Sequence, residues 1–301
     1  MGVLNRLSAT REALHGWVLA TLAANMLLIV SGAVVRLTGS GLGCPTWPHC
    51  AAGSFVPHES MGIHGAIEFG NRLLTFVLLL TSAMAVVAAT RTRAAGNVRT
   101  LAWVALVAIP VQAVIGGLSV LAGLNPFIVA LHLLLSVAII LVAVKLVWVV
   151  GRHETAEVDG LAMGLVRAVV AATLVVMWLG TIVTGSGPNA GDAGARRTGF
   201  HLETVTRLHS ISVWILVILT VAALLVATGR RIAPMRRWAL ILLGVEIFQA
   251  VIGYAQYFAH LNPWLVIWHM VGVSLCAAAT GALWAGIRPF QAPDLAPPRQ
   301  S

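Results

Sequence analysis

The chain has 301 residues, of which 59% are hydrophobic and 10% charged, with a formal net charge of +9. So little polar surface cannot cover a soluble globule of this length, and a mean hydropathy of +0.92 places the chain in a bilayer. The positive charge does not argue for nucleic acid, because the basic residues stand on short flanks between apolar runs.

Eight such runs are long enough to cross about 30 Å of hydrocarbon as helices. They fall roughly at 15–36, 67–90, 100–122, 127–150, 163–184, 202–228, 239–260 and 264–287. The expected fold is an all-α integral membrane protein with eight transmembrane helices arranged as two four-helix bundles. The first run is too long for a signal-peptide core and is expected to remain as a helix. Arg6, Arg11, Arg91, Arg93, Arg99, Lys145, Arg152, Arg167, Arg230, Arg231, Arg236, Arg237, Arg288 and Arg299 would share one face. This positive-inside pattern predicts a multi-pass cell-membrane protein with both termini cytoplasmic.

The chain divides into an N-terminal half over 1–150, a cytoplasmic linker over 151–162, a C-terminal half over 163–287 and a cytoplasmic tail over 288–301. The halves repeat. Gln112-Ala-Val-Ile-Gly116, Leu124-Asn125-Pro126 and His132 recur 137 residues later as Gln249-Ala-Val-Ile-Gly253, Leu261-Asn262-Pro263 and His269. Thr38-Gly-Ser-Gly41 recurs as Thr184-Gly-Ser-Gly187. An even number of crossings per half makes the repeat parallel, about an axis along the membrane normal.

Two long external loops, about 37–66 and 185–201, each follow a TGSG sequence. The first carries Trp47, Phe55 and several prolines, which favour an ordered loop. Cys44 and Cys50 lie there in GLGCPTWPHC, where an oxidising compartment allows a disulfide; two free thiols or a metal pair are the alternatives. Cys276, inside the last run, reads as a small buried apolar residue.

Histidine placement carries the chemistry. His132 and His269 begin the fourth and eighth helices, roughly 8 Å below the external boundary at 1.5 Å per residue. His64 and His209 lie near the beginning of the second and sixth, with His209 at a comparable depth. Two neutral imidazoles at one depth can fill both axial positions of a haem iron. A lone intramembrane histidine is more often a hydrogen-bonding group; His209 with His269, in a repeat that also holds His132, favours ligation.

A second constellation, His64, Glu68, Asn71 and Arg72, runs along one face of the second helix. Glu68 and Arg72 either pair with each other, or Glu68 handles protons near His132 while Arg72 meets a haem propionate. Arg207 offers the same propionate contact in the second half, with an ion pair to Glu203 as the alternative. Gln112 and Gln249 read as inter-helix polar contacts or donors to a ligand edge. Glu246 stands where the first half has Ile109 and receives no role.

With LTGSGLGCPTWPHC, IEFGNR, ALHLLLS, RLHS and IWHMVGVS in this order, the chain resembles the haem A synthase family over about 15–287. The resemblance implies oxidation of the C8 methyl of haem O to a formyl group by successive hydroxylations, an oxidoreductase reaction of haem biosynthesis. It implies a haem b cofactor, with iron ligated by His209 and His269 in the second half. Substrate haem O would be held in the first half by His132, with His64 or Asn71 as the partner across the iron. Glu68 would be catalytic, and the external cysteine pair corresponds to Cys44 and Cys50. Implied partners are haem O, the lipid bilayer, a haem O synthase (protohaem farnesyltransferase), an electron donor and further copies in a homo-oligomer. Many members have a histidine where this chain has Asn71, and some carry a second cysteine pair absent from its second loop. The competing classes are a di-haem, quinol-linked cytochrome b and a repeat-built transporter with helices broken near the midplane, for which Pro110 is the one signal.

Overall fold

The computed structural model describes residues 9–259 and 261–290; Arg6, Arg299 and the tail beyond residue 290 lie outside the described residues. Eight long helices follow in order: α1 (Arg11–Leu37), α2 (Gly62–Arg91), α3 (Gly96–Leu121), α4 (Pro126–Gly151), α5 (Gly160–Ser186), α6 (Leu202–Gly229), α7 (Ala233–Phe258) and α8 (Pro263–Ala285). All eight are long and apolar enough to cross a membrane. Their outward faces carry exposed Leu27, Phe76, Leu80, Trp214, Leu225 and Phe258, a pattern that suits lipid rather than water.

Caps set several of the boundaries. Thr10 Oγ1 accepts from the Ala13 amide at the start of α1. The Asn125 and Asn262 side chains each accept the amide two residues on, from Phe127 and Trp264, both at 3.0 Å, with proline as the first residue of the helix. The turn before them is also repeated: Leu124 and Leu261 hold φ of 56° and 60°, and their amides reach back to Ser119 and Gln256 carbonyls at 2.8 Å. The 137-residue repeat is therefore a repeat of backbone geometry as well as of sequence.

Where the structure departs from hydropathy, polar residues explain it. α2 begins at Gly62 and not at 67, and α7 at Ala233 and not at 239, because the leading turns IHGA and APMRRW are helical without being apolar. The linker is not wholly irregular. Its β1 (Ala156–Val158) pairs in parallel with β2 (Ile287–Pro289) just after α8, and Glu157 meets Arg288 at 2.9 Å. Three-residue strands leave no periodic signal to read. Asp159 caps α5 through the Ala162 amide and pairs with Arg230; that amide first, and the arginine with it, holds its carboxyl below the usual range.

Packing follows the repeat. α1–α4 close one ring, α1 against α2 and α4, and α3 against α2 and α4; α5–α8 close a second in the same way. The seam between them is α4 against α8, α1 against α8 and α4 against α5. One apolar cluster fills the second ring and the seam, from Val169 and Met177 through Leu216 and Leu242 to Ile287. A smaller one, with Leu14, Val18, Ala89, Val98 and Leu146, sits at the linker end of the first ring.

Candidate functional site

In the second ring, His209 is the eighth residue of α6 and His269 the seventh of α8. His209 Nδ1 lies 3.1 Å from the Val176 carbonyl of α5. A carbonyl only accepts, so Nδ1 carries the proton and Nε2 presents its lone pair, the form a metal ligand needs. Glycines make room for the rings. A Cβ placed on Gly180 would lie 3.3 Å from His209 Cε1, and one on Gly253 would lie 3.9 Å from His269 Cε1. Gln249 Nε2 donates to the His269 carbonyl at 3.0 Å, its amide packed into the space left by Gly272. The two imidazoles are within electrostatic reach of each other.

The first ring repeats half of this. His132 is the seventh residue of α4, and Gln112 Nε2 donates to its carbonyl at 2.6 Å and to Ser136 Oγ at 2.5 Å. A Cβ on Gly116 would lie 2.9 Å from His132 Cε1, closer than real Cβ contacts come. Gln112 and Gln249, Gly116 and Gly253, His132 and His269 thus form one repeated unit. The glycine that closes the QAVIG motif is a cradle for the histidine, a role that its repetition could have signalled.

Buried polar atoms are normally satisfied, and four of the seven exceptions among the described residues fall in the repeated units. His132 Nδ1, His269 Nδ1, Gln112 Oε1 and Gln249 Oε1 are buried without a hydrogen-bond partner. Among the described residues no group of three or more His, Cys, Asp or Glu could hold a metal ion. With Nδ1 bound to no protein group, either ring is free to carry its proton there and present Nε2, and a single or paired imidazole suits a metal whose other donors come from a macrocycle. The residues fit a haem.

The partner positions differ. Glu68, the seventh residue of α2, matches His132 and His269 in distance from its helix start, is one residue short of His209, and is 6% exposed. Arg72 Nε donates to Glu68 Oε1 at 2.9 Å, and its other two nitrogens donate to the Cys44 carbonyl at 3.1 Å and the His49 carbonyl at 3.2 Å. Arg72 is thus ion-paired with Glu68 and joined to the first loop. Asn71 Oδ1 accepts from Ser31 of α1 at 2.7 Å. His64 does not share the depth of the other histidines: it is the third residue of α2, exposed, and bonded through Nδ1 to Ser40 Oγ at 2.9 Å. Arg207 pairs with Glu203 at 2.5 Å and stays 74% exposed.

The first loop is ordered against the first ring. Cys44 and Cys50 are joined, with an S–S distance of 2.02 Å, and both are buried. The Trp47 indole occupies the space that a side chain on Gly117 would need. Adjacent glycines on α3 therefore seat His132 from inside the bundle and the loop from above it.

Comparison with known proteins gives a family at this point. Residues 15–66 and 61–194 match the family described as cytochrome oxidase assembly protein, COX15-CtaA. The chain belongs to that family. The COX15-CtaA match contains Cys44, Cys50, Glu68, Arg72, Gln112 and His132, and ends before His209. Among curated relatives, the chain is similar to a protein named heme A synthase from Geobacillus kaustophilus, 27% identical over 279 residues and 85% of each chain. It is 34% identical over 151 residues to another so named from Lysinibacillus sphaericus, covering 48% of each chain. It is also 34% identical over 177 residues to a protein named protoheme IX farnesyltransferase from Halobacterium salinarum, covering 53% of this chain and 39% of that one. The chain thus spans 38% to 48% of the length of the first relatives it matches. These matches point towards haem A biosynthesis and lend no support to a quinol-linked di-haem cytochrome b.

Proposed function

We propose that this chain is a haem A synthase, an oxidoreductase that converts the C8 methyl of haem O to a formyl group by successive hydroxylations. The observation that carries the reading is the repeated Gln–Gly–His unit with its buried unpartnered atoms, completed by a second histidine in one ring and by a carboxylate in the other. His209 and His269 would hold a resident haem b, and His132 would hold haem O. A bound haem supplies the redox chemistry when present. The protein's own residues orient and protonate. Gln112 and Gln249 restrain the helix backbone at His132 and His269, and the glycines fix the ring planes. Glu68, buried and held by Arg72, moves a proton at its carboxylate oxygens. Arg72 keeps that carboxylate in place and ties it to the disulfide loop, which covers the first ring.

With the basic flanks taken as cytoplasmic, the loop face is external and both termini lie inside the cell membrane. The oxidising side then keeps Cys44 and Cys50 paired. The protein named protoheme IX farnesyltransferase among the relatives supports a haem O-forming enzyme as a working partner. An electron donor is also required by an oxidation of this class, and association with further copies is compatible with the exposed apolar faces.

The test is chromatography of haems extracted from cells that make haem O, with and without this chain. The expected result is haem A only in its presence. Persistent haem O with a folded, haem-loaded protein would defeat the enzymatic reading and leave an electron-transfer role.

A further inference from the structure

Glu246 lies half-way along α7, 3% exposed, and the reaction proposed for the two rings gives it no task. Thr220 of α6 donates to its Oε1 at 2.7 Å, while Oε2 is buried without a hydrogen-bond partner. The Cys276 thiol of α8 is within electrostatic reach of the carboxylate and hydrogen-bonds to Thr280, whose Oγ1 lies 3.3 Å from Thr173 Oγ1 of α5. A line of polar groups thus crosses all four helices of the second ring, inside its apolar cluster. Two of its members adjoin the groups that hold the histidines. Glu246 is three residues before Gln249, which donates to the His269 carbonyl, and Thr173 is three residues before Val176, whose carbonyl lies against His209 Nδ1.

The first ring has no counterpart at these positions. At the 137-residue offset Ile109, Ile139 and Ala143 replace Glu246, Cys276 and Thr280, and all three are buried. A carboxylate kept in hydrocarbon is expensive, and within membrane helices such groups serve proton transfer rather than packing. None of the four ion pairs among the described residues includes Glu246. Of the elements packed against α7, α6 turns Thr220 to the carboxylate and α8 turns Cys276. The other ionisable groups of these helices, Glu203, Arg207, His209 and His269, stand in their loop-end turns; Arg230 and the Glu157 of β1 are ion-paired elsewhere. On α7 itself, Arg236, Arg237, Tyr254 and Tyr257 are each more than two turns away.

We propose that Glu246 is a redox-linked proton site of the second ring. Its Oε2 takes up one proton from the aqueous phase when one electron from the donor enters this ring, reducing iron(III) to iron(II), and returns the proton when the electron leaves. The assignment rests on the haem b proposed for His209 and His269. An apolar core screens an added charge weakly, and a proton gained in the same ring leaves its net charge unchanged. Thr220 can donate to Oε1 in either protonation state, so that bond persists and Oε2 is the atom that changes.

The experiment uses full-length protein with its haem b in phosphatidylcholine nanodiscs and measures the haem b midpoint potential, with mediators, across neutral pH. Because the proton enters with the electron, the wild-type potential should fall as pH rises, by up to roughly 59 mV per pH unit, the tenfold value of a one-electron couple. E246Q keeps a carbonyl for Thr220 but cannot take up the proton, and should lose most of that slope while retaining the haem absorbance. Reduced-minus-oxidised infrared spectra keep the test open if E246Q does not fold. The wild type should gain a carboxylic acid C=O band on reduction. T220V, which leaves the acid but removes its donor, should move that band to higher frequency, whereas a band from a haem propionate would stay. Absence of the band, or a band that T220V leaves in place, overturns the proposal, as does an equal slope in wild type and E246Q. A folded wild type without haem b absorbance defeats the haem b assignment and the coupling with it, whereas haem b with an unaltered slope in E246Q defeats the coupling alone.

Discussion

The two rings of this protein share a scaffold and differ in what completes it. Each sets a histidine at the seventh residue of its last helix, a glycine beneath the ring and a glutamine on the carbonyl. Opposite that histidine in chain order, α6 offers His209 whereas α2 offers Glu68 at nearly the same distance from the helix start. On the proposed function, two imidazoles would make a saturated ligand set suited to a stable cofactor, and one imidazole with a carboxylate would leave room for chemistry. The surroundings differ too: the second ring shares one continuous apolar cluster, whereas the first has one at its linker end and a small one around Leu124 at the loop end.

The comparison breaks most sharply at the ligands. H209A or H269A should abolish the haem b absorbance of the purified protein, while H132A should keep it and lose haem A formation. A normal spectrum in both second-ring variants would remove the distinction between the rings. Next in size is the carboxylate. E68A should retain haem binding and lose turnover by roughly 10²-fold or more, as expected for a positioned proton-transfer group. Undiminished haem A production would exclude that role.

The loop gives an intermediate effect confined to the first ring. W47A should leave the haem b spectrum unchanged while making the Cys44–Cys50 pair more reducible, as followed by thiol labelling against added dithiothreitol. Equal labelling of variant and wild type would show that the loop is held without its indole. The glycine cradles then grade the two rings on one scale. G116A, G180A and G253A would place a methyl 2.9, 3.3 and 3.9 Å from a histidine carbon, so the disturbance should fall in that order. Overpacking costs about 1–3 kcal/mol at the first position, whereas at the last the gain in helix propensity of roughly 1 kcal/mol should dominate. Soret position and thermal midpoint across the series would test it, and a reversed order would sink the cradle assignment.

The eight spans were legible because hydrophobic runs of this length have few other readings, and the LNP turns were legible because proline and asparagine mark helix starts chemically. The histidines at 132, 209 and 269 stood out as polar groups in hydrocarbon, and the structure sets each beside a glycine. Because α2 starts five residues before its apolar run, His64 falls in the first turn, bonded to Ser40, a placement that hydropathy does not record. Arg36, among the apolar residues of GAVVRLTGSG, takes its hydrogen-bond partner from a loop 153 residues away. Glu246 also found no role in the sequence; in the structure it is 3% exposed, with Oε1 accepting from Thr220 at 2.7 Å across the α6–α7 contact and Oε2 unpartnered. Such pairings depend on which helices become neighbours, and periodicity within one helix does not record that.

The short parallel pair of β1 and β2 joins the segment entering α5 to the segment leaving α8, the first and last helices of the second ring. The first ring has no such clasp among the described residues. Before α5 and α8 can part at that end, two strands and the Glu157–Arg288 pair must separate. Local opening free energy is therefore distributed unevenly between the rings. The consequence is mechanical: hydrogen exchange at the linker end should be slower in the first turn of α5 and the last turn of α8 than in the corresponding turns of α1 and α4.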